Sequence, residues 1–196
     1  RPRVATRLPA PATPLVGRRI EIAAVAALLR GDARLVTLTG PGGAGKTRLA
    51  LAVAEELAPA LRDGAVFVDL APVSDPALLV PTIADALNVR DDAPLAAELH
   101  DRSLLLVLDN LEQLLDGTTF IAELLASAPR LVVLATSRAP LRLSAEHVYP
   151  VPPLPAPDWS ETFEELAAND AVRLFVARAR AAHPVFELTE KAAADV

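Results

Sequence analysis

A chain of 196 residues and 20.6 kDa has room for one domain and the beginning of a second. Hydrophobic residues make up 52% of it, aromatic ones 4%, and cysteine is absent; a wholly disordered chain, a disulfide framework and any Cys-ligated zinc or iron–sulfur site are thereby excluded. The formal net charge of −6 argues against nucleic-acid binding through a basic surface, and no apolar run approaches the roughly eighteen residues of a membrane span. A cytoplasmic globular protein is expected, with neither a membrane nor a nucleic acid as a direct partner. The N-terminus has no apolar signal core, an initiator Met is missing and the chain stops in AAADV, so it reads as a piece of a longer polypeptide.

Residues 1–14 hold four prolines among small and basic residues and read as an extended linker, with order expected from Leu15. Ile20, Ala24, Val25, Leu28 and Leu29 recur at helical spacing, and Gly31 with Asp32 ends that run. Ala33 to Thr39 predicts a strand, followed by a glycine cluster and a helical pattern from Lys46 to Leu61. Ala65 to Ala71 predicts a buried strand, Ser74, Asp75 and Pro76 the cap and first turn of a helix to about Leu87, and Pro94 to His100 a further short helix. The apolar runs Ser103 to Asp109 and Arg130 to Ser137 predict strands covered on both faces, with a helix between them at Phe120 to Ser127 and a fifth strand at His147 to Val151. Strands alternating with helices predict an α/β fold built on a parallel sheet. The proline-dense VPPLPAPDW then closes a domain spanning 15–155. Leu166, Val172, Phe175, Val176 and Ala179 open a helical one over 156–196, which is expected to continue beyond this chain. Trp159 reads as an anchor of the proline segment, Arg173, Arg178 and Arg180 as a solvated helical face, and the three histidines share no ligand spacing.

Gly40 to Thr47, GPGGAGKT, fits G-x-x-x-x-G-K-[ST] directly after a predicted strand and at the start of a predicted helix, which is the context this phosphate-binding loop requires. Backbone amides of Gly42, Gly43, Ala44 and Gly45 would face the phosphates, Lys46 would reach the β- and γ-phosphates, and the Thr47 hydroxyl would ligate Mg²⁺. Asp109 ends an apolar strand, where a carboxylate would hold the same metal; alone, it could equally cap the next helix. The following residue is Asn110, which cannot take a proton at neutral pH. Glu112 is the nearest carboxylate that could serve as base, or it is simply an acid in a helical first turn. Arg138 follows the fourth strand, where its guanidinium could read a γ-phosphate or pair with a surface acid.

LVGRRIEIAAVAALL, GPGGAGKTRLA, LLLVLDNLEQL, LATSR and VYPVPPLP…AVRLFVARA together resemble the STAND class of P-loop switches, and within it the NB-ARC-related ATPase modules of bacterial SARP-type and LuxR-type transcriptional regulators. The resemblance implies a five-stranded P-loop NTPase sheet of the ASCE type in the order 5-1-4-3-2. It also implies that Val16 and Arg18 flank adenine and ribose, that Asp109 is the Walker-B acid and that Arg138 is a sensor. The implied activity is an ATP/ADP switch with weak Mg²⁺-dependent hydrolysis. Its partners would be other domains of the same polypeptide, and it is compatible with nucleotide-dependent oligomerisation. A continuously hydrolysing AAA+ motor or loader, or a scaffold that binds nucleotide without hydrolysing it, are the alternatives. Asn110 speaks against the motor, in which a second acid is expected at that position.

Overall fold

The computed structural model describes residues 6–11, 13–89, 94–114, 117–158 and 162–189. Two compact units divide at Pro152 and Pro153. The first begins with helix α1 (Arg19–Arg30) and strand β1 (Leu35–Thr39), followed by α2 (Lys46–Leu57) and β2 (Ala65–Asp69). Next come α3 (Leu79–Ala86), α4 (Leu95–Leu99), β3 (Leu104–Asp109), α5 (Thr119–Ser127), β4 (Leu131–Ser137) and β5 (Glu146–Pro150). All five strands are parallel, in the order β2-β3-β4-β1-β5, which is the expected order read from the other edge. This is the P-loop NTPase fold.

Alternation along the strands explains the two-sided core. In β3, Leu104, Leu106 and Leu108 join one apolar cluster with Leu79, Ile83, Leu99, Ile121 and Leu124 of the helices on that face. Leu105 and Val107 point the other way, into a cluster with Val25, Leu29, Leu49 and Val53 of α1 and α2. Each such fully buried side chain contributes about 1.5–3 kcal/mol, which is why strands sealed on both faces read as unbroken apolar runs.

Two predicted helices are shorter than their apolar patterns. The run from Lys46 stops being α-helical at Leu57 and continues as a 3-10 turn, Ala58–Ala60, because Pro59 has no N–H to give. The run after Asp75 begins as a 3-10 turn, Pro76–Leu78, with Asp75 accepting from the Ala77 amide at 2.9 Å. The expectation that order starts at Leu15 is corrected at the sheet edge. Arg7 donates from its amide to Ala65 O (2.8 Å) and accepts from the Phe67 amide (3.0 Å), a parallel bridge to β2 that satisfies groups an edge strand would otherwise expose.

The second unit contains α6 (Phe163–Ala168) and α7 (Asp170–Ala182). Thr162 and Glu165 form a reciprocal capping box on α6, and Asn169 caps α7 through the Ala171 and Val172 amides. Arg173 pairs with Asp170 at 3.0 Å, while Phe175 and Phe186 meet edge to face. Trp159 lies outside the described residues. No described helix is long and apolar enough to cross a membrane.

Candidate functional site

Strand register gathers the chemistry at one edge of the sheet. Leu38 of β1 lies beside Thr136 of β4, and Leu108 of β3 beside Ala135, so the loop from Gly40, the Asp109 carboxylate and the segment Thr136 to Arg138 all leave the carboxyl ends of adjacent strands.

The loop itself is shaped by backbone that only glycine adopts readily. Gly43 and Gly45 have φ of +80° and +90°, and a Cβ built on Gly42, Gly43 or Gly45 would meet nothing within 4 Å. The loop mouth is therefore open. Gly45 is the N-cap of α2 and supplies no side-chain cap, leaving first-turn amides and the positive helix end available to an anion. Lys46 is only 8% exposed, and its Nζ donates to Gly40 O (2.9 Å) and Pro41 O (3.0 Å). Among the described residues these neutral carbonyls are its acceptors, so its charge is not neutralised by a carboxylate.

Asp109, buried at the end of β3, accepts two hydroxyls on Oδ1: Thr47 Oγ1 at 2.8 Å and Thr136 Oγ1 at 2.6 Å. Thr136 Oγ1 in turn accepts from the Asn110 amide at 3.0 Å. Asn110 has φ +63°, a left-handed conformation that Asn tolerates better than most residues, which gives its presence after Asp109 a local backbone reason. Thr136 is fully buried and was not among the predicted site residues. Its signal was available as a hydroxyl interrupting the apolar LVVLAT run at the strand end nearest Asp109.

Glu112 and Arg138 are brought together by an ion pair with Nε to Oε1 at 3.1 Å. The arginine side chain is 72% exposed and the glutamate 17%, while Glu112 Oε2 is buried and has no hydrogen-bond partner among the described residues.

Arg18 faces the loop from behind. It is 7% exposed, holds φ +69° at the N-cap of α1, and donates to Glu21 Oε1 (2.6 Å), Ala44 O (3.2 Å) and Pro152 O. Burial pushes the Glu21 carboxyl up, but the hydrogen bond and positive charge of Arg18 outweigh it and hold the group below its ordinary range. Val16 is half-buried two residues before it.

The residues present suit a nucleoside triphosphate with a divalent cation: an open amide cradle, an unneutralised lysine, and a hydroxyl and a carboxylate joined at one point. Among the described residues no group of three His, Cys, Asp or Glu could hold a metal by itself, so phosphate oxygens and water would complete the shell of any Mg²⁺ at Thr47 and Asp109.

Residues 29–144, more than half of the chain, match the AAA domain family. The chain belongs to that family. Family membership implies nucleotide binding and typically Mg²⁺. A Mycobacterium tuberculosis protein provisionally named an HTH-type transcriptional regulator is 39% identical to this AAA domain over 170 residues, which cover 83% of this chain and 18% of that protein. An uncharacterized protein of the same organism is 38% identical over 191 residues, covering 94% of this chain and 46% of its own length. The chain thus spans less than half the length of these curated relatives. Among solved structures, Cdc6p from Pyrobaculum aerophilum aligns with a TM-score of 0.52 at 20% identity, covering 91% of this chain and 51% of that one. A Walker-type ATPase of Pyrococcus abyssi aligns at 0.55 and 12% identity, covering 92% and 62%. At these identities the two structures speak to the fold.

Proposed function

We propose that this AAA domain is an ATP/ADP switch of the STAND class, akin to the NB-ARC-related modules of SARP-type and LuxR-type regulators, and that it hydrolyses ATP slowly within a larger transcriptional regulator. In this reading residues 15–155 hold the nucleotide and 156–196 begin a helical domain. Val16 and Arg18 border the nucleoside, residues 42–47 the phosphates, and Thr47 with Asp109 the Mg²⁺. The name of the mycobacterial relative supports the regulatory setting. The observation that carries the switch is the Glu112–Arg138 pair. The candidate base and the candidate γ-phosphate reader hold one another, with the glutamate largely buried and the arginine side chain open to solvent, so that a phosphate can reach the guanidinium and displace the pair. When bound, Mg²⁺ would neutralise charge on the terminal phosphates. Arg138 would then turn from Glu112 to the γ-phosphate, and the freed carboxylate would accept the proton of an attacking water.

Arg138→Ala is expected to narrow the preference for ATP over ADP by about ten- to hundredfold, the equivalent of the 1.5–3 kcal/mol of a hydrogen bond to a charged group, with ADP affinity little changed. Dissociation constants for both nucleotides at fixed Mg²⁺ decide it: equal weakening of the two removes Arg138 as the reader.

The family match also favours a second reading, a continuously turning motor. Steady-state turnover separates the two. A switch should run well below the about 10 s⁻¹ of a median enzyme, and Glu112→Gln should slow it by about a hundredfold or more. Fast turnover indicates the motor, and unchanged turnover in Glu112→Gln eliminates that carboxylate as base.

A further inference from the structure

We infer that Arg18 is a positioning residue for the phosphate loop: from behind, its guanidinium fixes the Ala44–Gly45 peptide and ties it to the segment leaving β5 at Pro152. The inference rests on the nucleotide reading above.

A peptide group is planar and trans, so its N–H points opposite to its C=O. Arg18 Nη2 holds the Ala44 carbonyl at 3.2 Å, and the Gly45 amide in the same plane is thereby turned away from Arg18. That amide belongs to the loop whose mouth is open, with no side chain at Gly43 or Gly45 to restrain it. A guanidinium is suited to this task because its planar fork presents several donors at fixed angles. The same Nη2 also donates to Pro152 O, while Nη1 is held by Glu21.

Two backbone contacts join the same pair of segments. The Val151 amide donates to Thr39 O at 2.7 Å, and a Cβ on Gly40 would come within 2.6 Å of Val151 O. Ala44 and Val151 also share one apolar cluster. The start of the loop, its middle and the exit from β5 are thus joined at three points, and Arg18 supplies the side-chain connection. Its left-handed φ of +69°, costly for arginine, fits a residue held in place by its side-chain bonds. Because coupling is reciprocal, anion binding in the loop should be felt at Val151, and disturbance at Val151 should be felt in the loop. The two prolines after it, Pro152 and Pro153, restrict how the exiting chain can turn to absorb such a shift.

The test uses the 196-residue chain with Mg²⁺, titrated with ATP and, in competition, with inorganic tripolyphosphate, while the Gly45 and Val151 amide resonances are followed. In the unaltered chain both resonances are expected to move with one binding curve. Arg18→Lys keeps a cation beside Glu21 but loses the planar fork. It should weaken ATP and tripolyphosphate alike, by roughly tenfold, and at saturating ATP reduce the Val151 displacement by half or more in a variant that still melts cooperatively. A loss confined to ATP, with tripolyphosphate binding intact, would show that Arg18 acts on the nucleoside alone and not on the phosphate loop, and would overturn the inference, as would a folded Arg18→Lys with wild-type affinities and an undiminished Val151 response. Should that variant not fold, Glu21→Ala removes the acceptor of Nη1 and with it one anchor of the same guanidinium, and an unchanged Val151 response there overturns the inference equally. If the unaltered chain binds neither ligand, the nucleotide reading fails first and takes this inference with it; if it binds both while Val151 is silent, only the coupling is wrong.

Discussion

Lys46→Ala is expected to lower affinity for ATP by about two orders of magnitude or more while the fold survives. The ammonium is nearly buried and, among the described residues, bound only to the Gly40 and Pro41 carbonyls, so a negatively charged phosphate oxygen is a better acceptor than either. Two hydrogen bonds between charged groups at roughly 1.5 kcal/mol each already amount to more than a hundredfold. Loss of the same side chain removes two bonds to carbonyls at the rim of an open loop. The core residues of α2, Leu49, Ala50 and Val53, keep their contacts. Calorimetric titration with ATP, paired with a thermal melt, checks both halves of this expectation. A folded variant that binds ATP as the unaltered chain does would remove residues 42–47 as the phosphate site.

Asp109→Asn should act through the metal alone. In the presence of Mg²⁺, ATP affinity is expected to fall by about tenfold or more and hydrolysis further, whereas binding measured in EDTA should hardly change. Asn keeps a carbonyl oxygen that can accept from Thr47 and Thr136, so the two hydroxyls at 2.8 and 2.6 Å retain their partner. What disappears is the negative charge. Ala at the same position would be a poorer test, because it would leave the buried Thr136 hydroxyl without its acceptor, at about 1–3 kcal/mol of stability, and so mix folding with binding. Equal losses with and without Mg²⁺ would make Asp109 a structural residue of the β3 end.

Taken alone, the amino-acid sequence determines the layered fold and the loop. Strands buried on both faces read as nearly continuous apolar runs, as Leu104 to Leu108 do, and Gly40, Gly43 and Gly45 occur where backbone conformation or close approach demands them. Both are local requirements, so they are visible in a window of a few residues. The joint placement of Lys46, Thr47 and Asp109 followed from a motif that is itself local and from a strand end that a parallel sheet brings to the same edge.

Only the tertiary structure decided which side chains meet. Thr136 reaches Asp109 across 27 residues, Arg18 reaches Ala44 across 26 and Pro152 across 134, and Glu112 meets Arg138 through the neighbouring ends of β3 and β4. The docking of Arg7 onto β2 is of the same kind, a pairing between segments far apart in the chain. Sequence periodicity reports which face of an element is buried. It carries no term for a hydrogen bond whose geometry depends on the register of two strands and the path of a loop. A buried arginine shows the difference: apart from the resemblance, Arg18 reads only as part of a loop before a helix, and its burial depends on three acceptors, of which only Glu21 is a sequence neighbour.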